Sequence, residues 1–149
     1  MDLKLTGKIA LVTGASKGIG KGIARTLSGE GCRVAICSRT REDLEATAAE
    51  ISAATGNEVA VFVADLTKPE DAAAFVEGAA GHFGGIDILV NNAGASPGGA
   101  LENLTAEDWA QSLQLKSMSS VSCPQAALPQ MPPPRPRPSR QSTRHPPLP

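Results

Sequence analysis

The sequence predicts an α/β domain built on a parallel sheet with helices packed on both faces, and three observations carry that prediction. Four short runs, Ile9–Val12, Val34–Cys37, Val59–Val63 and Ile88–Val90, are nearly continuous in apolar residues rather than alternating. That is the pattern of strands covered on both faces. Segments of helical periodicity separate these runs, and strand–helix alternation builds βαβ units with right-handed crossovers. The first run ends in Thr13-Gly14-Ala15-Ser16-Lys17-Gly18-Ile19-Gly20, a glycine-rich turn that opens a helix.

The helices follow from spacing and from their start signals. Ile19, Ile23 and Leu27 recur on one helical face, as do Leu44, Ala48 and Ile51, and then Ala72, Phe75, Val76 and Ala79. Thr40 with Asp43 reads as a variant capping box, with Asp in place of Glu. Thr67 with Glu70 fits the box fully, and Pro69 falls in the first turn, where its missing N–H costs little. Thr105 with Asp108 opens a further helix carrying Trp109 and Leu113, which Pro124 is expected to kink or end.

Composition bounds the rest. A chain of 149 residues, 41% hydrophobic, is long enough for one domain with a true core. Aromatic residues make up only 3%, so Ala, Val, Ile and Leu must fill that core. All 15 acidic residues lie at or before Asp108, whereas Arg135, Arg137, Arg140 and Arg144 stand in a C-terminal stretch without acids. The three cysteines, Cys32, Cys37 and Cys123, have neither metal-site nor disulfide-framework spacing, which suits a reducing cytoplasm. The first apolar run is too short for a signal peptide or a membrane span.

The glycine turn has a specific chemistry. A helix N-terminus presents unpaired backbone N–H groups and a partial positive charge, and glycines let phosphates approach the backbone. That suits the pyrophosphate of a dinucleotide. Ser38-Arg39 follows the second strand, Asp65-Leu66 the third, and Asn91-Asn92-Ala93-Gly94 the fourth. All stand at carboxyl ends of parallel strands, where open α/β sheets bind ligands.

This set of residues closely resembles the short-chain dehydrogenase/reductase family, from about Leu5 to Met131. Within the family the body most resembles reductases of the 3-oxoacyl carrier-protein type. The resemblance implies a Rossmann-type doubly wound sheet with strand order 3-2-1-4, here incomplete, and an NAD or NADP cofactor. It implies a cofactor site made of Gly14, Ser16, Lys17, Gly18, Ile19 and Gly20 at the pyrophosphate, with Ser38 and Arg39 beyond the second strand. Asp65 and Leu66 would meet the adenine, and Asn91, Ala93 and Gly94 would line the adenine ribose and the central sheet. NAD-preferring sites place a carboxylate at the end of the second strand. This chain has Ser38-Arg39 there and Lys17 in the turn, and cations suit a 2′-phosphate, so NADP is expected rather than NAD.

The resemblance stops short of catalysis. Family members donate a proton from a tyrosine in a Tyr-x-x-x-Lys motif, and this chain contains no tyrosine. No catalytic residue is therefore assigned, and a small carbonyl substrate is expected only where a complete active site exists. Lys116 falls where many members carry an active-site asparagine, and it reads either as a site residue or as a solvated helix residue. The family's later strands have no counterpart, which leaves the fourth strand as a sheet edge and the face of the helix from Thr105 uncovered. Both are surfaces for self-association or aggregation.

From Pro124 onward the composition changes: ten of the 12 prolines fall in the last 26 residues. Residues 1–131 are expected to form the NAD(P)-binding domain, and residues 132–149 a disordered Pro/Arg-rich tail. The tail's composition resembles a coding region read out of frame, and a frameshift near Met131 is the expectation. The alternative is a ligand segment, since Pro133 and Pro136 fit a minimal polyproline pattern. Four arginines without aromatics or a folded scaffold make a poor nucleic-acid surface. The second function class is a non-catalytic module that binds a dinucleotide or a protein partner.

Overall fold

The computed structural model of the chain describes residues 3–95, 98 and 100–133. Strands β1 (Ile9–Thr13), β2 (Arg33–Ser38), β3 (Val59–Val63) and β4 (Ile88–Val90) form one parallel sheet in the order β3-β2-β1-β4. Helices α1 (Gly18–Gly29), α2 (Arg41–Thr55), α3 (Pro69–Phe83) and α4 (Ala106–Ala127) connect and follow the strands. This is the Rossmann-type order that the sequence predicts.

Strand alternation divides the core between the two faces. Val12, Val34 and Ile36 point to one side, where Ala24 of α1 and Leu44 and Ile51 of α2 cover them. Leu11, Ala35 and Cys37 point to the other, against Phe75, Val76 and Ala79 of α3 and Cys123 and Ala127 of α4. All five residues of β1 are buried. Burial of each large aliphatic or aromatic side chain contributes on the order of 1.5–3 kcal/mol, which is why the central strands need no polar alternation. Edge strand β4 pairs with β1 alone among the described residues, and its three residues are only half-buried.

The helix starts only partly follow the sequence signals. Thr105 and Asp108 do form a reciprocal capping box: the Asp108 amide donates to the Thr105 hydroxyl, and Asp108 accepts from the Thr105 amide. Thr40 is the residue before α2, but its side chain makes no capping bond. Lys68, not Thr67, stands at the N-cap of α3, because the Thr67 hydroxyl is engaged by Asp65 at 2.8 Å. Pro69 occupies the first helical turn as expected.

Pro124 does not end α4, which runs on through it to Ala127. The lost backbone bond is offset by the burial of Cys123 and Ala127 in the core on either side of it. Leu128–Gln130 then turn back, and the Gln130 carbonyl accepts from the Ile86 amide at 3.2 Å, beside the start of β4. The disordered tail expected over residues 132–149 lies outside the described residues from position 134 onward.

At the N-terminal end of the sheet, Asp87 ties β4 to β1. Its carboxylate accepts from the Lys8 ammonium at 2.8 Å and from the Ile9 amide at 3.0 Å. These bonds, the Lys8 one first, hold the Asp87 carboxyl below the usual carboxylate range. A depressed folded pKa stabilises the fold above the unfolded value, near pH 4, and that contribution disappears as pH falls through the folded value. Asp87→Asn should therefore lose about 1 kcal/mol at neutral pH and nothing at the acid end of the transition. Urea melts of both chains between pH 2 and pH 7 check this: the two stabilities should converge on acidification, and a constant gap would contradict it.

Candidate cofactor-binding site

The carboxyl ends of β1 and β4 are joined by a compact set of hydrogen bonds. Thr13, fully buried at the end of β1, donates its hydroxyl to the Val90 carbonyl at 3.2 Å. The same oxygen accepts from the Asn92 and Ala93 amides, each at 2.9 Å. Asn92 returns the contact: its side-chain amide donates to the carbonyls of Thr13 at 3.0 Å and Gly14 at 3.1 Å. The glycine turn and the loop after β4 are thereby held edge to edge.

That closeness explains two glycines. Gly14 has φ +62°, and a Cβ there would stand 2.9 Å from the Cα of Ala93. Gly20 is buried in the first turn of α1, where a Cβ would run into the Asn92 side-chain amide and the Gly14 carbonyl. Gly18 is the first residue of α1. Lys17 precedes it in extended conformation and makes no side-chain cap, which leaves the first amides of the helix without a side-chain acceptor there.

A cleft of about 400 Å³ opens over this end of the sheet, within the range of small-molecule sites. From the glycine turn, Gly14, Ser16, Lys17 and Ile19 line it. Ser38 and Arg39 line it from the end of β2, Leu66 from the segment after β3, and Ala93 and Gly94 from the loop after β4. Gly18 and Gly20 shape the turn without lining the cleft. Asn91 is exposed and outside it, whereas Asn92 lines it. Ile19 lines it with 78% of its surface exposed.

Asp65 lies in a neighbouring hollow of about 490 Å³, which Arg39 shares. The far wall of that hollow is the start of α4, with Asp108, Gln111 and Leu115. The Thr67 hydroxyl and amide, at 2.8 Å and 3.1 Å, hold the Asp65 carboxyl below its ordinary range, so it is ionised at neutral pH. Leu115 lines both spaces.

Three charged residues line the cleft. Lys17 and Arg39 supply two cations and Asp43 one carboxylate. Cys37 is adjacent to Ser38 but offers no nucleophile: burial pushes its thiol up to about 12. Cys123 is raised to about 11 for the same reason. Among the described residues no His, Cys, Asp and Glu cluster is arranged to hold a metal, and no helix is long and apolar enough to cross a membrane.

Residues 8–139 match the family model for short chain dehydrogenases. The chain belongs to the short-chain dehydrogenase family. It is 42% identical over 125 residues to the rhamnolipids biosynthesis 3-oxoacyl-[acyl-carrier-protein] reductase of Pseudomonas aeruginosa, a match that covers 84% of this chain and 48% of that protein. The structure of L-sorbose reductase from Gluconobacter frateurii, complexed with NADPH and L-sorbose, superimposes with a TM-score of 0.80 at 34% identity, over 88% of this chain and 50% of the reductase. A short chain dehydrogenase from Burkholderia cenocepacia in complex with NADP gives a TM-score of 0.78 at 39% identity, over 85% of this chain and 52% of that one. The chain thus spans about half the length of the short-chain dehydrogenases it matches.

Turn-forming and strand-bracing hydrogen bonds are expected of Asn91 and Asn92 alike from the sequence, and Asn92 makes them; sequence reasoning missed Asn92, Asp43 and Leu115 as cleft residues. Asn92 stands beside Asn91, and only the hydrogen bonds to the Thr13 and Gly14 carbonyls separate their roles. Asn92→Asp removes both side-chain donors and sets a carboxylate against two carbonyl oxygens. We expect a loss of about 3 kcal/mol, measured by urea unfolding at pH 7. A change below about 0.5 kcal/mol, the size of an ordinary surface substitution, would show that the brace carries no weight.

Proposed function

We propose that this chain binds NADP(H) in the cleft above the carboxyl ends of β1, β2 and β4, and that as this 149-residue chain it does not turn over carbonyl substrates. The observation that carries the first half is that Lys17, beside the N-terminus of α1, and Arg39, at the end of β2, line one and the same cleft. The NADPH and NADP complexes of the L-sorbose reductase and of the Burkholderia protein support the same cofactor.

In this reading the turn from Gly14 to Gly20 receives the pyrophosphate, where backbone amides and the helix dipole favour negative charge. Ser16, Lys17, Ser38 and Arg39 surround the 2′-phosphate. Two cations outweigh the single carboxylate of Asp43, so the subsite keeps a net positive charge for a group carrying about two negative ones. Leu66 bounds the adenine from the cleft and Asp65 from the adjoining hollow, and Ala93 and Gly94 bound the ribose, with Asn92 bracing them. When bound, NADPH supplies a hydride. What the chain lacks is a tyrosine to deliver the accompanying proton.

Self-association belongs to the same reading. Trp109, Leu113 and Val121 leave an apolar row on α4 that is between 45% and 60% exposed, the kind of surface a second copy covers. The three buried, unpaired cysteines fit a cytoplasmic protein.

NADPH should raise the melting temperature of the purified chain more than NADH does at equal concentration, because a ligand of the folded state alone must stabilise it. Calorimetry should give NADPH the tighter binding, and Arg39→Gln should cut that preference by about tenfold or more. Tighter NADH binding would contradict the NADP assignment. Turnover of NADPH with a panel of carbonyl compounds, well above background, would overturn the non-catalytic half and leave the cofactor half standing.

A further inference from the structure

The seam between α1 and α2 carries several polar contacts, and one of them differs in kind. Lys21 of α1 pairs with Glu50 of α2 at 2.6 Å on the surface. Ser28 and Thr55 share a hydrogen bond at 2.8 Å near the far ends of the two helices. Both contacts join helix to helix. Thr47 of α2 instead reaches past α1 to the glycine turn, where its hydroxyl donates to the backbone carbonyl of Ser16 at 2.7 Å. Thr47 is only 2% exposed, so water does not replace this bond when it is lost.

We infer that Thr47 is a positioning residue for the cofactor site: its hydroxyl sets the orientation of the Ser16–Lys17 peptide and so aims two side chains of the turn that line the cleft with Arg39. The physical route is short. A trans peptide is a rigid plane, and fixing its carbonyl fixes its N–H and the directions in which the flanking side chains leave. Ser16 and Lys17 are those flanking residues, and both line the cleft. They precede α1, in the extended stretch before its first turn, so helical hydrogen bonding does not hold the Ser16 carbonyl.

The same helix begins immediately after Arg39 and Thr40, which line the cleft together with Asp43. Through Thr47, α2 therefore holds both halves of the cationic subsite in one frame. On the dinucleotide reading proposed above, the consequence is selectivity: a turn aimed by α2 holds Lys17 against the same phosphate that Arg39 meets. A turn free to rotate loses that coincidence. Preorganisation of this kind acts on affinity without touching the ligand.

Thr47→Val keeps the side chain's shape and removes the hydroxyl, and Thr47→Ser keeps the hydroxyl and removes the methyl. Binding of NADPH and NADH to the full chain and to both variants, with amide hydrogen exchange of residues 16–20 in the absence of ligand, tests the inference. Thr47→Val should weaken NADPH binding by about tenfold, lower the NADPH-to-NADH affinity ratio, and speed exchange in the turn. Thr47→Ser should stay within about twofold of the parent on every measure. A role in packing alone would weaken both dinucleotides equally and would make Thr47→Ser at least as damaging as Thr47→Val, and either result overturns the inference. Should Thr47→Val fail to fold, a Thr47→Ser chain that binds NADPH tenfold more weakly overturns it equally. Absence of NADPH binding to the unsubstituted chain would sink the dinucleotide reading instead, and the exchange contrast between Val and Ser would still judge the role of the hydroxyl.

Discussion

The site depends on the clasp between Thr13 and Asn92. One buried hydroxyl accepts two backbone amides from the loop after β4, and one side-chain amide donates to two carbonyls at the start of the glycine turn. Parallel strands β1 and β4 are adjacent in the sheet but far apart in sequence, and nothing local brings their ends together. The clasp does so, and it satisfies backbone groups that neither loop satisfies by itself. It also sets how small the neighbouring residues must be. A Cβ on Gly14 or Gly20 would occupy space the clasp has taken, so the glycines of the turn answer to Asn92 and Ala93 as much as to any ligand.

With the loops held, electrostatics follows from where the chain leaves each strand. The glycine turn ends at the start of α1, Ser38-Arg39 lead into α2, and the two segments reach the same cleft from different strands. The turn thus offers a helix end and a lysine while the β2 end offers an arginine. α2 links the two through Thr47, a side chain on the face of α2 that looks inward. The polar contacts at the opposite end of the sheet, Asp87 with Lys8 and Ile9, tie β4 to β1 there, so the short edge strand is fixed at both ends.

Much of this was legible in the sequence, for identifiable reasons. Continuous apolar runs named the strands because both sheet faces are covered, and the glycine spacing named the turn because a strand-to-helix junction admits few alternatives. The Thr105–Asp108 box was legible because no other group competes for either side chain. Thr67 was not, since Asp65, two residues earlier, engages its hydroxyl. Pro124 misled because local propensity opposes a helix there, and burial of Cys123 and Ala127 outweighs it. Asn91 and Asn92 are indistinguishable by type, and only the hydrogen bonds of the folded chain assign the brace to Asn92. Thr47 gave no signal at all: a threonine at a helical core position looks like packing until the Ser16 carbonyl is seen opposite it.

The central claim is that the clasped loops form a cleft whose cationic end takes a 2′-phosphate. A crystal structure of this chain grown with NADPH tests it most directly. The account predicts the pyrophosphate against the N-terminus of α1, the 2′-phosphate within hydrogen-bond reach of both Lys17 and Arg39, and the Thr13–Asn92 bonds unchanged. A dinucleotide bound with its 2′-phosphate away from both cations, or a turn displaced from Asn92 on binding, would contradict it.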